Sequence, residues 1–333
     1  MLCLLSIGGC TASFGPGFAV TRQHVEVTYR LEAPDRLAIQ AAYRLKNIGT
    51  EPMQAIDVRL PSAPGVDASS VTATWAGATL PATVSPAADS PGLILHAPLA
   101  TAWDRGQKGD LLVSYNLNLA ALVPPGFPAN ARPIFLAGGV WLPELLPPPG
   151  PLAIHPKPPG KWDLQIRLPA SYSANASGQE KDENRRGNTS ELRFVQQSGE
   201  FAPFLAAGPF HERRFKTSLG GVILWTIEPL SDGESKSIAQ SAAAARTYFA
   251  TQFGPVAKTN GKKSGDKQPA TWVIECPGAL TETSSPPGTP ASSCPETPES
   301  ALLPSTFFLH PDSADEIANL NLQIARTWFG LTL

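Results

Sequence analysis

The chain has 333 residues, a net charge of −2 and a sequence pI near 6.2, which leaves no global electrostatic case for nucleic-acid binding. Charged residues make up only 16%, below the roughly 25% of ordinary soluble domains, and the 35 prolines are about twice the usual share. The 42% hydrophobic content still supports a folded chain, long enough for two domains and a sizeable core.

The chain opens MLCLLSIGGC. Met1 to Gly9 is apolar and far shorter than the roughly 20 residues of a spanning helix. It ends in Ile7-Gly8-Gly9-Cys10, which resembles a bacterial lipobox and implies lipidation of Cys10 after cleavage. The positive stretch of a signal peptide is missing, so a chance cysteine in an apolar leader, or a start placed too late, competes with that reading. The expectation is a leader over 1–21 and an exported protein, periplasmic or held on the outer membrane through Cys10.

From 22 to 228 the pattern is mostly of strands. Val25, Val27, Tyr29 and Leu31 alternate with polar residues, as do Leu37, Ile39, Ala41, Tyr43 and Leu45, then Ile56, Val58 and Leu60. Val113, Tyr115 and Leu117 repeat it, and so do Trp162, Leu164, Ile166 and Leu168. Period-two spacing turns one face of each strand to a core and the other to solvent. Turn-rich stretches separate the runs, and the polar KDENRRGN at 181–188 reads as another such break. The proline-rich 145–161 cannot form a central strand. This predicts a sheet-rich domain of sandwich or open twisted form.

After 230 the pattern changes. Ser231 and Asp232 are N-cap types, and Ile238, Ala242, Ala245, Phe249 and Phe253 mark one helical face before Gly254-Pro255 stops it. ATWVIEC reads as a buried strand, and ALLPSTFFLH as a candidate for another. A second helix starts near Asp312 or Ser313, with Ile317, Leu320, Ile324 and Trp328 on its apolar face. Cys276 and Cys294 enclose a loop rich in Pro, Ser and Thr; in an exported protein that spacing reads as a loop-closing disulfide, and two separate thiols are the alternative.

The order of these pieces resembles the aminopeptidase N family of gluzincin zinc peptidases, from about residue 22 to the end. Four stretches carry the resemblance: WLPELLPPPG with WDLQIRLPASYSANASG (141–178), FAPFLAAGPF (201–210), AAAARTYFATQFGP (242–255) and IARTWFG (324–330). It implies an α+β, mostly β architecture: a β-rich saddle or sandwich domain over 22–228, then a partial thermolysin-like α/β domain over 229–333. It also implies zinc, held by two histidines of an H-E-x-x-H motif that precedes x-W-F-G, with the glutamate as general base.

Registering on Trp328-Phe329-Gly330 puts Leu322 and Arg326 at the two histidine positions and Gln323 at the glutamate. Leu322 has no donor atom, Arg326 is a permanent cation, and Gln323 takes no proton at neutral pH. The family's third ligand, a glutamate on the next helix, would fall beyond Leu333. The expectation is therefore an aminopeptidase-like protein without an intact zinc site, in which Leu322 fills the vacated pocket and Arg326 pairs with an acid or reaches water. A sharper alternative has Arg326 supplying a fixed positive charge for a carboxylate or carbonyl. The predicted function is non-catalytic binding of a peptide or protein, with no cofactor and no nucleic acid. The competing reading is a zinc aminopeptidase completed by residues outside this chain, since a chain ending on WFGLTL leaves an apolar helix face for further chain or a partner.

The remaining candidates are weaker. HERRF at 211–215 is not H-E-x-x-H, and His211 reads as a surface residue. His310, Asp312, Asp315 and Glu316 gather at a helix start, where the dipole alone favours acids. Asn175-Ala-Ser and Asn188-Thr-Ser match the glycosylation acceptor pattern.

Overall fold

The computed structural model describes residues 16–61, 65–88, 92–119, 132–136, 141–149, 156, 161–196, 203–254, 270–276 and 300–329. In chain order the strands are β1 (Phe18–Tyr29), β2 (Arg36–Asn47), β3 (Met53–Leu60), β4 (Thr72–Trp75), β5 (Ala78–Thr79), β6 (Thr83–Pro86), β7 (Leu93–Trp103), β8 (Lys108–Asn118), β9 (Ile134–Leu136) and β10 (Glu144–Leu145). They continue as β11 (Trp162–Pro169), β12 (Ser173–Ala176), β13 (Gln179–Arg186), β14 (Thr189–Gln196), β15 (Leu205–Gly208), β16 (His211–Thr217) and β17 (Gly220–Thr226). Helix α1 (Asp232–Phe253), β18 (Thr271–Cys276), β19 (Ala301–Pro304), α2 (Ser305–Leu309) and α3 (Ala314–Phe329) follow. The class is α+β, mostly β.

An eight-stranded sheet, ordered β13-β14-β11-β1-β2-β8-β4-β5, faces a four-stranded sheet, β10-β3-β7-β6. The alternation read from the sequence builds this sandwich. On β2, Leu37, Ile39, Ala41, Tyr43 and Leu45 are buried, and Arg36, Gln40 and Arg44 take the opposite face. They join Val25 and Val27 of β1 with Ile56, Val58 and Leu95 of the facing four-stranded sheet in one core. The phenols of Tyr43 and Tyr115 reach the backbone carbonyls of Pro143 and Trp141, which satisfies their buried hydroxyls.

A three-stranded sheet, β12-β15-β9, lies between two cores. Its side chains alternate between them: Ile134, Leu136, Leu205 and Ala207 join the sandwich, while Phe135 and Ala206 pack with Ile223, Trp225, Ile274 and Leu302. With both faces covered, the strand reads as the unbroken apolar run FLAAG instead of an alternation.

The second sheet, β16-β17-β18-β19, pairs β17, β18 and β19 in parallel. It crosses residue 228, because β16 and β17 lie before that position and β17 pairs with β18 after it. Helices α1 and α3 cover one face, where Ile238, Ala242, Leu320 and Ile324 meet Val222, Leu224 and Val273. Helix α1 starts on a full capping box: Ser231 Oγ accepts from the Glu234 N–H, and Glu234 accepts from the Ser231 N–H. It stops at Gly254, with φ +82°.

One segment departs from the sequence reading. The polar stretch 181–188 is not a break: most of it is β13, an edge strand paired antiparallel with β14, and only the Gly187-Asn188 end turns. All eight residues of β13 are exposed, so the strand has no buried face to write an apolar alternation, and its charges keep the edge from pairing further.

Candidate functional site

Helix α3 is the element on which the metal motif would stand. Ser313 Oγ accepts from the Glu316 N–H at 3.2 Å, and Asp315 and Glu316 sit in the first turn, where the helix dipole favours them. The Asp312 carboxylate accepts a hydrogen bond from the Ser237 hydroxyl at 3.1 Å, which ties the start of α3 to α1. The acids near His310 are thus accounted for by capping and helix docking. Leu320 and Ile324 anchor α3 to the sheet.

Leu322 and Arg326, four residues apart, share another face of α3. Leu322 is 44% exposed, so it does not fill a vacated pocket, contrary to the expectation. The reason is rotational: it stands two residues from both Leu320 and Ile324, about 200° round the helix from each anchor. Arg326 is half-buried. Gln323 is buried, and its Oε1 is shielded from solvent with no hydrogen-bond partner among the described residues. A hydrocarbon, an amide and a guanidinium do not fit divalent zinc, which takes thiolate, imidazole or carboxylate ligands. Among the described residues no group of three or more His, Cys, Asp or Glu is arranged to hold a metal ion.

Cys276 is buried at the end of β18; Cys294 and Cys10 lie outside the described residues, and with them the expected disulfide and lipid anchor. Asn175 is buried and donates to Ser300 Oγ at 3.0 Å, just before β19, so it is closed to glycosylation, whereas Asn188 is exposed in the β13–β14 turn. His211 is exposed at the first position of β16, and Glu212 beside it accepts from the Trp225 indole N–H at 3.0 Å. Glu275, the lone acid of TWVIEC, is buried; burial raises its pKa, and it accepts from the Ile227 N–H at 2.8 Å and from Ser305. It joins the end of β17 to the start of α2.

A polar groove lies elsewhere. On the face of the eight-stranded sheet turned away from the core, strands β8, β2, β1, β11, β14 and β13 line a groove of about 590 Å³. Arg44 holds Asp110 with two hydrogen bonds, of 2.8 and 3.2 Å. Arg193 holds Asp163 in the same two-pronged way, at 2.9 and 2.7 Å. Asp163 is only 5% exposed. The Arg193 hydrogen bond holds its carboxyl below the usual carboxylate range against the opposing effect of burial, with the charges of His24, Arg193 and Arg22 adding to the shift.

Two further basic side chains point at Asp163 beyond hydrogen-bond length: Arg22 Nη2 at 3.8 Å and His24 Nδ1 at 3.7 Å. His24 Nε2 lies 3.3 Å from Glu26, while its Nδ1 is shielded and has no hydrogen-bond partner among the described residues. At the far side Asp182 is 3.9 Å from Arg193, and Glu191 accepts from Gln165. The sequence offered no sign of this groove, because its charges come from strands far apart in the chain, Arg22 on β1 and Arg193 on β14 among them.

No protein-family model matches the sequence, and no curated protein matches it significantly. Among solved structures, an M1 zinc metallopeptidase from Deinococcus radiodurans matches with a TM-score of 0.50 and 18% identity, covering 95% of this chain and 65% of that one. A mutant of an M1 zinc metallopeptidase from the same organism gives 0.48 at 17% identity, over 94% of this chain and 65% of the other. A mutant two-domain M1 zinc metallopeptidase bound to L-arginine gives 0.47 at 19% identity, over 93% and 65%. At these identities the likeness is one of fold. The chain shares the mostly β, α+β architecture of the first of these proteins and spans 65% of its length.

Proposed function

We propose that the protein is a non-catalytic relative of the M1 aminopeptidases, exported and acting through binding of a peptide or protein. One observation carries this reading: the helix that ends in Trp328-Phe329 bears Leu322, Gln323 and Arg326 where zinc chemistry needs two histidines and a glutamate. None of the three can ligate zinc at neutral pH or take a proton from a bound water. The fold is kept while the donor set is lost, which suits a surface that binds without cleaving. Export rests on the Ile7-Gly8-Gly9-Cys10 resemblance, with Cys10 as the anchor.

Hydrolysis of aminoacyl reporter substrates by protein made from the full natural reading frame tests the reading. No turnover is expected, with or without added zinc. Turnover that a chelator abolishes would overturn it and return the enzyme reading.

A further inference from the structure

We propose that the C-terminal end of the α1–α3 pair docks on an anionic phospholipid surface, with Tyr248 and Phe253 entering the headgroup boundary. This surface is separate from the anchor at Cys10 and from the peptide or protein binding proposed above, and needs neither of them.

Exposed rings carry the first half of the argument. Ile238, Ala242 and Ala245 of α1 are buried against the sheet, yet Phe253 on the same helical face is 57% exposed, and Tyr248 is 60% exposed. The reason lies in the length of α1. Arg246 donates to Oγ1 of Thr271, the first residue of β18. At about 1.5 Å per residue, Phe253 stands roughly 10 Å further along the helix axis, past the strand start. The rings of Tyr248 and Phe253 lie 5.5 and 6.2 Å from that of Phe249, which meets Trp328 at 5.7 Å. The exposed rings therefore stand on an aromatic base shared by both helices. At this exposure two such rings offer roughly 250 Å², well short of the ~800 Å² per partner of a stable protein interface but enough for shallow insertion among lipid headgroups.

Charge supplies the second half. Neither helix carries an acid beyond Glu234 and Glu316. Those two sit at the opposite helix ends, about 28 Å from Phe253 and about 18 Å from Trp328 along the axes. Lys216 is exposed and pairs with Gly221 at the start of β17, so it stands at the same end of the sheet as Thr271. The sequence after Gly254 carries Lys258, Lys262, Lys263 and Lys267 against the single acid Asp266, in a chain whose net charge is −2. Protruding rings without acids beside them, continued by a basic run, match a surface that is negative outside and apolar within.

Co-sedimentation with vesicles of mixed phosphatidylglycerol and phosphatidylcholine tests the proposal, using the full chain with Cys10→Ala so that no acyl group supplies the binding. Binding should be saturable, at least about tenfold weaker on phosphatidylcholine alone, and weaker as salt rises. Tyr248→Ser with Phe253→Ser should weaken it about tenfold, as should Lys262→Gln with Lys263→Gln. Leu31→Ser, which removes a side chain 43% exposed on the sandwich, should bind like the parent. Tyr248→Ser alone, at the more exposed of the two rings, keeps the test open if the double variant does not fold, with a loss of about threefold. Absence of binding to the anionic vesicles, or binding that the serine variants leave unchanged, would overturn the proposal. So would a dimer in sedimentation velocity that the serine variants dissociate, which would assign the exposed rings to a second copy of the chain.

Discussion

The indole N–H of Trp328 donates to the carbonyl of Gly254 at 2.9 Å, so the tail of α3 is tied to the stop of α1. The two residues are 74 positions apart. The Trp328 ring also lies 5.7 Å from that of Phe249, which makes the C-terminal ends of both helices one aromatic contact. Trp328 is thus accounted for by packing. Trp328→Phe should cost about 1 kcal/mol by leaving the Gly254 carbonyl without its donor. Trp328→Ala should cost about 2–3 kcal/mol. Denaturant unfolding of the two variants measures both, and equal stability of wild type and Trp328→Phe would show that the hydrogen bond contributes nothing.

Gly178 has φ +96°, and a Cβ there would meet the Gln196 nitrogen and the Val195 carbonyl oxygen at 2.7 Å. Those are backbone atoms of β14 and cannot swing aside. Gly178→Ala should therefore destabilise by about 2 kcal/mol or more, combining strain at positive φ with the clash. Gly187→Ala is the comparison: it has φ +57° but nothing within 4 Å, so it should lose less. The difference between the two midpoints of unfolding reports the clash together with the less favourable φ at Gly178.

The Ser231 capping box should be worth about 1 kcal/mol, read as the loss in Ser231→Ala. Ser231→Asp should retain most of it, because aspartate caps through the same geometry. Equal losses in both variants would show that the hydroxyl matters for something other than the cap.

Asp163 sets a pH dependence. Its folded pKa is lowered from an ordinary 3.8, first by the hydrogen bond from Arg193. A depressed carboxylate contributes stability that is fully present above the unfolded pKa and is lost as pH falls through the folded one. Wild type should therefore lose stability from about pH 4 downward. Asp163→Asn should be less stable at neutral pH and show a flatter acid limb in that window. An unchanged acid limb in the variant would mean that Asp163 is not a source of the linkage.

Much of the fold was written locally. The apolar alternation of β1, β2, β3, β8 and β11 is visible because each has one buried face, and α1 is bounded by Ser231 and Gly254, whose roles are set by their immediate neighbours. β13 was not legible, since a strand exposed on both faces carries no period-two signal. The span of the second sheet across residue 228 was also hidden, because parallel pairing of β17 with β18 depends on contacts about 49 residues apart, as in Val222 with Thr271. At the candidate site the assignment of Leu322, Gln323 and Arg326 rests on the Trp328-Phe329-Gly330 register in the sequence. The exposure of Leu322 was not, because it follows from which face of α3 meets the sheet. The groove of Arg22, His24, Asp163 and Asp182 was invisible in sequence for a different reason: it exists only once the sheet order brings β1 and β13 onto one face.

The most direct test of the central claim is elemental analysis for zinc on protein purified without chelators from the full natural reading frame. The account predicts no zinc above background, because Leu322, Gln323 and Arg326 offer no ligand for it. One zinc per chain would contradict it and would mean that ligands from elsewhere complete a metal centre on α3.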